Sequence, residues 1–217
     1  MGFDMNAFSL AGKKAIVTGG AKKTGLCYGM AVALHDAGAE IVILDANSQV
    51  ENTVAELGGA KSGYHAVVAN LLDLNDLRNG FQQAISALGG RLDILVNGAG
   101  LQYRCPSEEF PEDAWDRIMG VNIKGVFFMS QLAGKVMLKQ GKGKIINIAS
   151  TNSFIGLRNM PAYVSSKGGV KQLTMALSSE WSGRGINVNA IAPGYMDTEM
   201  SKDLQQMEQG KQLTKRI

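Results

Sequence analysis

Six short β-branched runs are set into this chain with helical segments between them, and that alternation restricts the possible folds more than any other feature. The runs are Ala15 to Val17, Ile41 to Leu44, His65 to Val68, Ile94 to Val96, Ile145 to Ile148 and Asn187 to Ile191. They read as buried parallel strands. Between the first two, Leu26, Met30, Ala33, Leu34 and Ala37 fall at three- and four-residue steps, and Gly38 follows as a cap. Comparable helices are expected over Leu74 to Leu88, over Ala114 to Gln140 with an interruption near Gly120 to Gly125, and over Ala162 to Trp181. Strand alternating with helix predicts an α/β fold, a Rossmann-like doubly wound parallel sheet.

The length of 217 residues fits one domain better than two. No repeat, low-complexity tract or Pro/Ser-rich linker marks a boundary, so residues 1–217 are read as a single domain. With 45% apolar and 19% charged residues, and 27 glycines against 4 prolines, the composition excludes disorder, collagen and disulfide-dense scaffolds. A net charge of +3 without a basic block argues against nucleic acid and for a small-molecule partner. Cys27 and Cys105 form no Cys-x-x-Cys, and His35 and His65 lack partners at ligand spacing, so neither a disulfide nor a metal site is predicted. A reducing cytoplasm is the default. No run approaches the ~20 apolar residues a bilayer requires, and the start lacks the basic and apolar regions of a signal peptide, so no membrane association is expected.

Immediately after the first strand comes Thr18-Gly19-Gly20-Ala21-Lys22-Lys23-Thr24-Gly25-Leu26, a glycine-rich turn opening a helix. Glycine admits a pyrophosphate close to the backbone, and the helix N-terminus stabilises its charge. A plain strand-to-helix turn would use the same glycines, but the position after strand one favours a dinucleotide. Asp45, ending the second strand, lies where a ribose edge would fall. A carboxylate there accepts the ribose hydroxyls and repels a 2′-phosphate, favouring NAD, while Lys22 and Lys23 leave NADP open.

Tyr163 and Lys167 stand four apart on a predicted helix and therefore share a face. An ammonium fixed beside a phenol stabilises the phenolate and lowers a pKa that is otherwise about 10. Ser150 ends the fifth strand, at the carboxyl edge where open α/β sheets bind ligands, and could donate to a substrate carbonyl or merely cap its loop.

Taken with Asn97-Gly98-Ala99-Gly100, Asn122, Pro193-Gly194 and Thr198, these elements resemble the short-chain dehydrogenase/reductase family from about Phe8 to Met200. The resemblance implies an oxidoreductase with a Ser-Tyr-Lys-Asn site. Tyr163 would exchange a proton with the substrate oxygen as hydride passes to or from nicotinamide. Lys167 would hold the ribose and lower the tyrosine pKa, Ser150 would orient the carbonyl, and Asn122 would hold a relay water. It also implies cofactor contacts from Gly19, Thr24, Gly25, Leu26, Asp45, Asn70, Leu71, Asn97, Ala99, Gly100, Tyr163, Lys167, Pro193, Gly194, Met196 and Thr198. Several stretches, among them Val126 to Gln131, Lys144 to Ser150 and Gly185 to Met196, are similar to the sugar-acid branch, the 2-dehydro-3-deoxy-D-gluconate 5-dehydrogenases. Arg104 could clamp a sugar-acid carboxylate through its bidentate fork or remain a solvated loop arginine. A homotetramer or homodimer is implied by resemblance alone.

The pattern has departures. Two residues are added between Gly19 and Gly25, Cys27 stands where the family has its third glycine, Gly98 replaces an asparagine, and Asn70 replaces an aspartate. The polar tail from Ser201 stops at Ile217 where the family continues into a last strand and helix, so the C-terminal strand is expected to be missing. Two other readings compete: an NADPH-dependent 3-oxoacyl-thioester reductase, and a dinucleotide-binding member without turnover.

Overall fold

Alternation along the strands decides where the core lies. In the computed structural model, which describes residues 5–196, β1 (Lys14–Thr18) sends Ala15 and Val17 into one apolar cluster and Ile16 into another. β2 (Glu40–Asp45) divides Ile41 and Ile43 from Val42 and Leu44 in the same way, following the two-residue period of a strand. β3 (Tyr64–Val68), β4 (Ile94–Asn97), β5 (Gly143–Ile148) and β6 (Ile186–Ile191) complete a six-stranded sheet of order β3-β2-β1-β4-β5-β6. Every pairing is parallel.

Helices cover both faces. α1 (Leu26–Asp36) and α2 (Gln49–Glu56) bury Ala31, Val50 and Val54 on one side. On the other lie α3 (Leu74–Ala87), α5 (Val126–Gln140) and α6 (Pro161–Trp181), contributing Leu77 and Phe81, Met129 and Met137, and Leu177 and Trp181. Phe81 and Leu77 are almost wholly enclosed, and each such side chain stabilises the fold by about 1.5–3 kcal/mol relative to exposure. α4 (Glu112–Met119) is joined to α5 by a π-helical turn, Gly120–Gly125, where the sequence predicts an interruption.

Two expectations need correction. The segment Gln49–Glu56 is a helix that the strand-and-stripe reading does not anticipate, because only Val50 and Val54 give it an apolar edge. Nor are all six strands buried: Val68 on β3 and most of β6 are exposed. These strands end the sheet, each with one neighbour, so one edge of each faces outward.

The chain leaves β1 toward β2 on one side and reaches β4 on the other. That reversal opens a crevice beyond the carboxyl ends of β1 and β4, the place where open α/β sheets bind ligands.

Candidate active site

The crevice begins at the end of β1. Buried Thr18 accepts hydrogen bonds through Oγ1 from the N–H groups of Gly98 (3.0 Å) and Ala99 (3.1 Å), tying the first turn to the one after β4. Gly19 has a φ of +84°, and a Cβ there would stand 2.7 Å from Ala99 Cα, so only glycine fits. Beyond it Ala21 anchors the lengthened turn. Its N–H donates to Asp45 Oδ2 (3.0 Å), and its carbonyl accepts from Thr53 Oγ1 on α2 (2.6 Å). Lys23 forms an ion pair with Glu56, also on α2. The unanticipated helix therefore holds the added residues. Asp45 Oδ1 accepts from the N–H of Asn47 (2.9 Å), so the carboxylate braces two backbone segments at the crevice rim.

Cys27 and Gly98 account for each other. A Cβ on residue 98 would fall onto Cys27 Sγ. The thiol where the family carries glycine thus fills the space an asparagine side chain would need. Burial pushes that thiol up to about 11, so it is a packing group and a poor nucleophile at neutral pH.

At the other end of the crevice stand the predicted catalytic groups. Ser150 follows β5 and caps the short turn Thr151–Ser153, its Oγ accepting from the N–H of Asn152 (3.1 Å). Ser153 Oγ accepts from the Ser150 N–H (3.2 Å) and donates to the Lys167 carbonyl (2.8 Å), which locks this turn to α6. Pro161 starts α6, with its fixed φ suited to the first helical position, and brings Tyr163 into the first turn. The Ser150 side chain stands beside the Tyr163 phenol, close enough to lower its pKa. Lys167 is 5% exposed, donates from Nζ to the Ile148 carbonyl (2.6 Å) and lies 5.7 Å from the Tyr163 ring centre.

Burial dominates the acid–base properties. It raises the Tyr163 phenol above its ordinary value, the nearby Ser150 side chain pulling part of the way back. This corrects the expectation of a phenol acidified by Lys167. The lysine is itself buried and brought down to about 8, which weakens its hold on a positive charge.

Asn122 sits in the π-helical turn, fully buried. Its Oδ1 accepts from the Leu101 N–H (2.8 Å), and its Nδ2 donates to the Leu101 carbonyl (2.9 Å) and to Ser166 Oγ (3.0 Å). It binds the segment after β4 to α6. Asn97 likewise lies behind the wall, donating to Ser130 Oγ and Asn147 Oδ1 (both 2.9 Å).

One cavity of about 930 Å³ joins the two ends. Gly19, Thr24, Gly25, Leu26, Asp45, Asn70, Leu71, Ala99, Gly100, Arg104, Ser150, Tyr163, Lys167, Pro193, Gly194 and Met196 line it, and Asn97 and Asn122 do not. Thr198 lies outside the described residues. Gln102, Arg117, Asn152, Leu157 and Met160 also line the cavity, and sequence reading missed them; Tyr195 lines it within the loop expected to contact the nicotinamide. For Asn152 a signal existed, its place two residues past Ser150. Arg117 had none, since an arginine on an amphipathic helix looks solvated.

The residues present suit a dinucleotide. At the N-terminus of α1, Gly25 provides no side-chain cap, which leaves the first N–H groups for an anion, and the approach to them is lined by glycine. Among the described residues, no group of His, Cys, Asp and Glu is arranged to hold a metal ion, and no helix is long and apolar enough to cross a membrane.

Comparison with known proteins agrees with this geometry. The family model described as short chain dehydrogenase matches residues 13–209. A 2-dehydro-3-deoxy-D-gluconate 5-dehydrogenase of Escherichia coli K12 is 44% identical over 206 residues, 94% of this chain and 80% of the relative. Its namesake in Bacillus subtilis 168 is 41% identical over 222 residues, 100% of this chain and 84% of the relative. Among solved structures, a gluconate 5-dehydrogenase from Burkholderia cenocepacia J2315, in complex with NADP and tartrate, superposes with a TM-score of 0.90 at 33% identity, covering 97% and 82% of the two chains. With its parallel sheet, its glycine-lined crevice and these matches, the chain belongs to the short-chain dehydrogenase family.

Proposed function

We propose that this protein interconverts a ketone and a secondary alcohol of a sugar acid, of the 2-dehydro-3-deoxy-gluconate or 2-deoxy-gluconate type, using a nicotinamide dinucleotide. The observation carrying this reading is the meeting of Ser150, Tyr163 and Lys167 in the cavity whose far end is the glycine-lined turn. When bound, the dinucleotide supplies or accepts the hydride. Ser150 donates to the ketone oxygen and holds it beside the Tyr163 phenol. Tyr163 gives its proton to that oxygen during reduction and takes it back during oxidation. Burial keeps the phenol protonated at neutral pH, which suits the reductive direction. Lys167, fixed by the Ile148 carbonyl, presents its ammonium to the ribose side of the site. Asn122 keeps the Leu101 segment and α6 in register around them.

Gly19, Thr24, Gly25 and Leu26 would receive the pyrophosphate, Asp45 the adenosine ribose, Asn70 and Leu71 the adenine, and Ala99, Gly100, Pro193, Gly194 and Met196 the nicotinamide half. Asp45 favours NAD, and Lys22 on the same rim keeps NADP within reach. Arg104 and Arg117 both face the cavity without an ion-pair partner among the described residues, which suits a substrate carboxylate. The names of the relatives above support the same substrate class. Self-association as a homodimer or homotetramer belongs to this reading, supported by Trp115 and Met175, exposed on the mutually packed α4 and α6. A cytoplasmic location fits the two free thiols.

The test is nicotinamide absorbance with NADH and NADPH across a panel of keto sugar acids. Turnover of at least one, faster with NADH, is expected. Tight dinucleotide binding with no turnover across the panel would refute the reading.

A further inference from the structure

Behind the Ser150–Tyr163 pair, hydrogen bonds join the end of β5 to α6 in a closed circuit. The Ser150 N–H donates to Ser153 Oγ (3.2 Å), and that hydroxyl donates onward to the Lys167 carbonyl (2.8 Å). Lys167 closes the circuit through Nζ, which donates to the Ile148 carbonyl (2.6 Å) two residues before Ser150. The turn keeps its shape without the Ser153 hydroxyl, because backbone bonds define it. Ser153 N–H donates to the Ser150 carbonyl (2.8 Å), Phe154 N–H to the Thr151 carbonyl (3.0 Å) and Thr151 N–H to the Pro193 carbonyl (3.0 Å). What the hydroxyl adds is registration: it uses its donor and its acceptor at once to fix the Ser150 backbone against the helical turn that runs from Tyr163 to Lys167.

We propose that Ser153 is a positioning residue, whose hydroxyl ties Ser150 to α6 and thereby keeps the Ser150 side chain beside the Tyr163 phenol during proton transfer. The inference rests on the reading of Tyr163 as the proton donor to the ketone. Ser150 lines the cavity, and its Oγ accepts from the Asn152 N–H within the same turn, so its hydroxyl moves with the backbone that carries it. Removing the Ser153 hydroxyl leaves the Ser150 N–H without this acceptor and the turn without its bond to the Lys167 carbonyl. Rates depend steeply on such geometry, a misplacement of about 1 Å lowering them by about 10²-fold. Ser153 itself does not line the cavity, so the loss falls on kcat and leaves ketone and cofactor binding alone.

The test is a double-mutant cycle on single-turnover ketone reduction, using wild type, Ser153→Ala, Ser150→Ala and the double variant, with hydrogen exchange at the Ser150 amide measured in parallel. Ser153→Ala is expected to lower the rate by roughly 10–10²-fold, with ketone KM and NADH affinity near wild type and faster exchange at the Ser150 amide. In the Ser150→Ala background the same substitution changes little, because the group it positions is gone. Phe154→Ala serves as the control: it removes a different contact between the turn and α6, the Phe154 ring against Lys171 Nζ (4.6 Å), and keeps the wild-type rate. A Ser150 amide that exchanges unprotected in wild type overturns the proposal without any variant. So does an unchanged rate in Ser153→Ala, a loss repeated in full in the Ser150→Ala background, or an equal loss in Phe154→Ala. If wild type reduces no ketone of the panel, the catalytic reading has failed and the Ser153 assignment falls with it.

Discussion

At the scale of single residues, the Cys27–Gly98 contact makes a claim about pairs. Gly98→Asn alone drives a new side chain into the thiol, and overpacking of this kind costs about 1–3 kcal/mol. Introduced together with Cys27→Gly, the same asparagine escapes the thiol and keeps only a tight 3.1 Å approach of its Cβ to the Thr18 carbonyl. A double-mutant cycle read by thermal denaturation is expected to show favourable coupling of about 0.5–3 kcal/mol, and strict additivity would dissolve the pairing. Lys167 makes a different claim. Its pKa is about 8 in the fold against an ordinary 10.5, so the folded state disfavours the charge. The unfolded chain binds the extra proton between those values, and stability from this group rises with pH across that window. Wild type should therefore gain Tm relative to Lys167→Met as pH climbs from 8 toward 10.5. A Tm difference that stays flat over that range would show that Lys167 is not buried with a depressed pKa.

Among the elements, the lengthened glycine turn and α2 act as one unit, joined through Ala21, Thr53, Lys23, Glu56 and the Asp45 carboxylate. Asp45→Ala removes the carboxylate proposed to meet the ribose and the acceptor for the Ala21 N–H. The NADPH/NADH ratio of kcat/KM should rise roughly tenfold, equivalent to about 1.4 kcal/mol, with a lower Tm. An unchanged ratio would move the ribose contact away from Asp45. The strands, α1, α3 and the π-helical break were legible because each carries its own period: buried runs over Ala15–Val17 and Ile41–Leu44, a stripe from Leu26 to Ala37, and glycines at both ends of Gly120–Gly125. α2 was not legible, because contacts across space stabilise it more than its own sequence does. The same limit hid Arg117 and Asn152, whose significance comes from the cavity they share with Ser150 and Tyr163. The raised phenol pKa was misread for a related reason: four-residue spacing reports the Tyr163–Lys167 pairing but not the depth at which the pair is buried.

For the whole molecule, one sheet with helices on both faces brings the glycine-lined turn proposed as the dinucleotide cradle and the Ser150–Tyr163 pair to a single cavity. Ligand and fold are then thermodynamically linked. NADH at a hundred times its Kd should stabilise the folded state by about 2.7 kcal/mol, a Tm rise of roughly 5–10 °C for a chain of this size. No shift would mean that the cradle does not bind the cofactor. The central claim is that the Tyr163 phenol delivers the proton to a ketone held in that cavity. The most direct measurement is single-turnover reduction by Tyr163→Phe with NADH affinity measured in parallel. The account predicts a loss of roughly 10²–10⁴-fold in rate with cofactor affinity near wild type. A variant that reduces the ketone at the wild-type rate would contradict it.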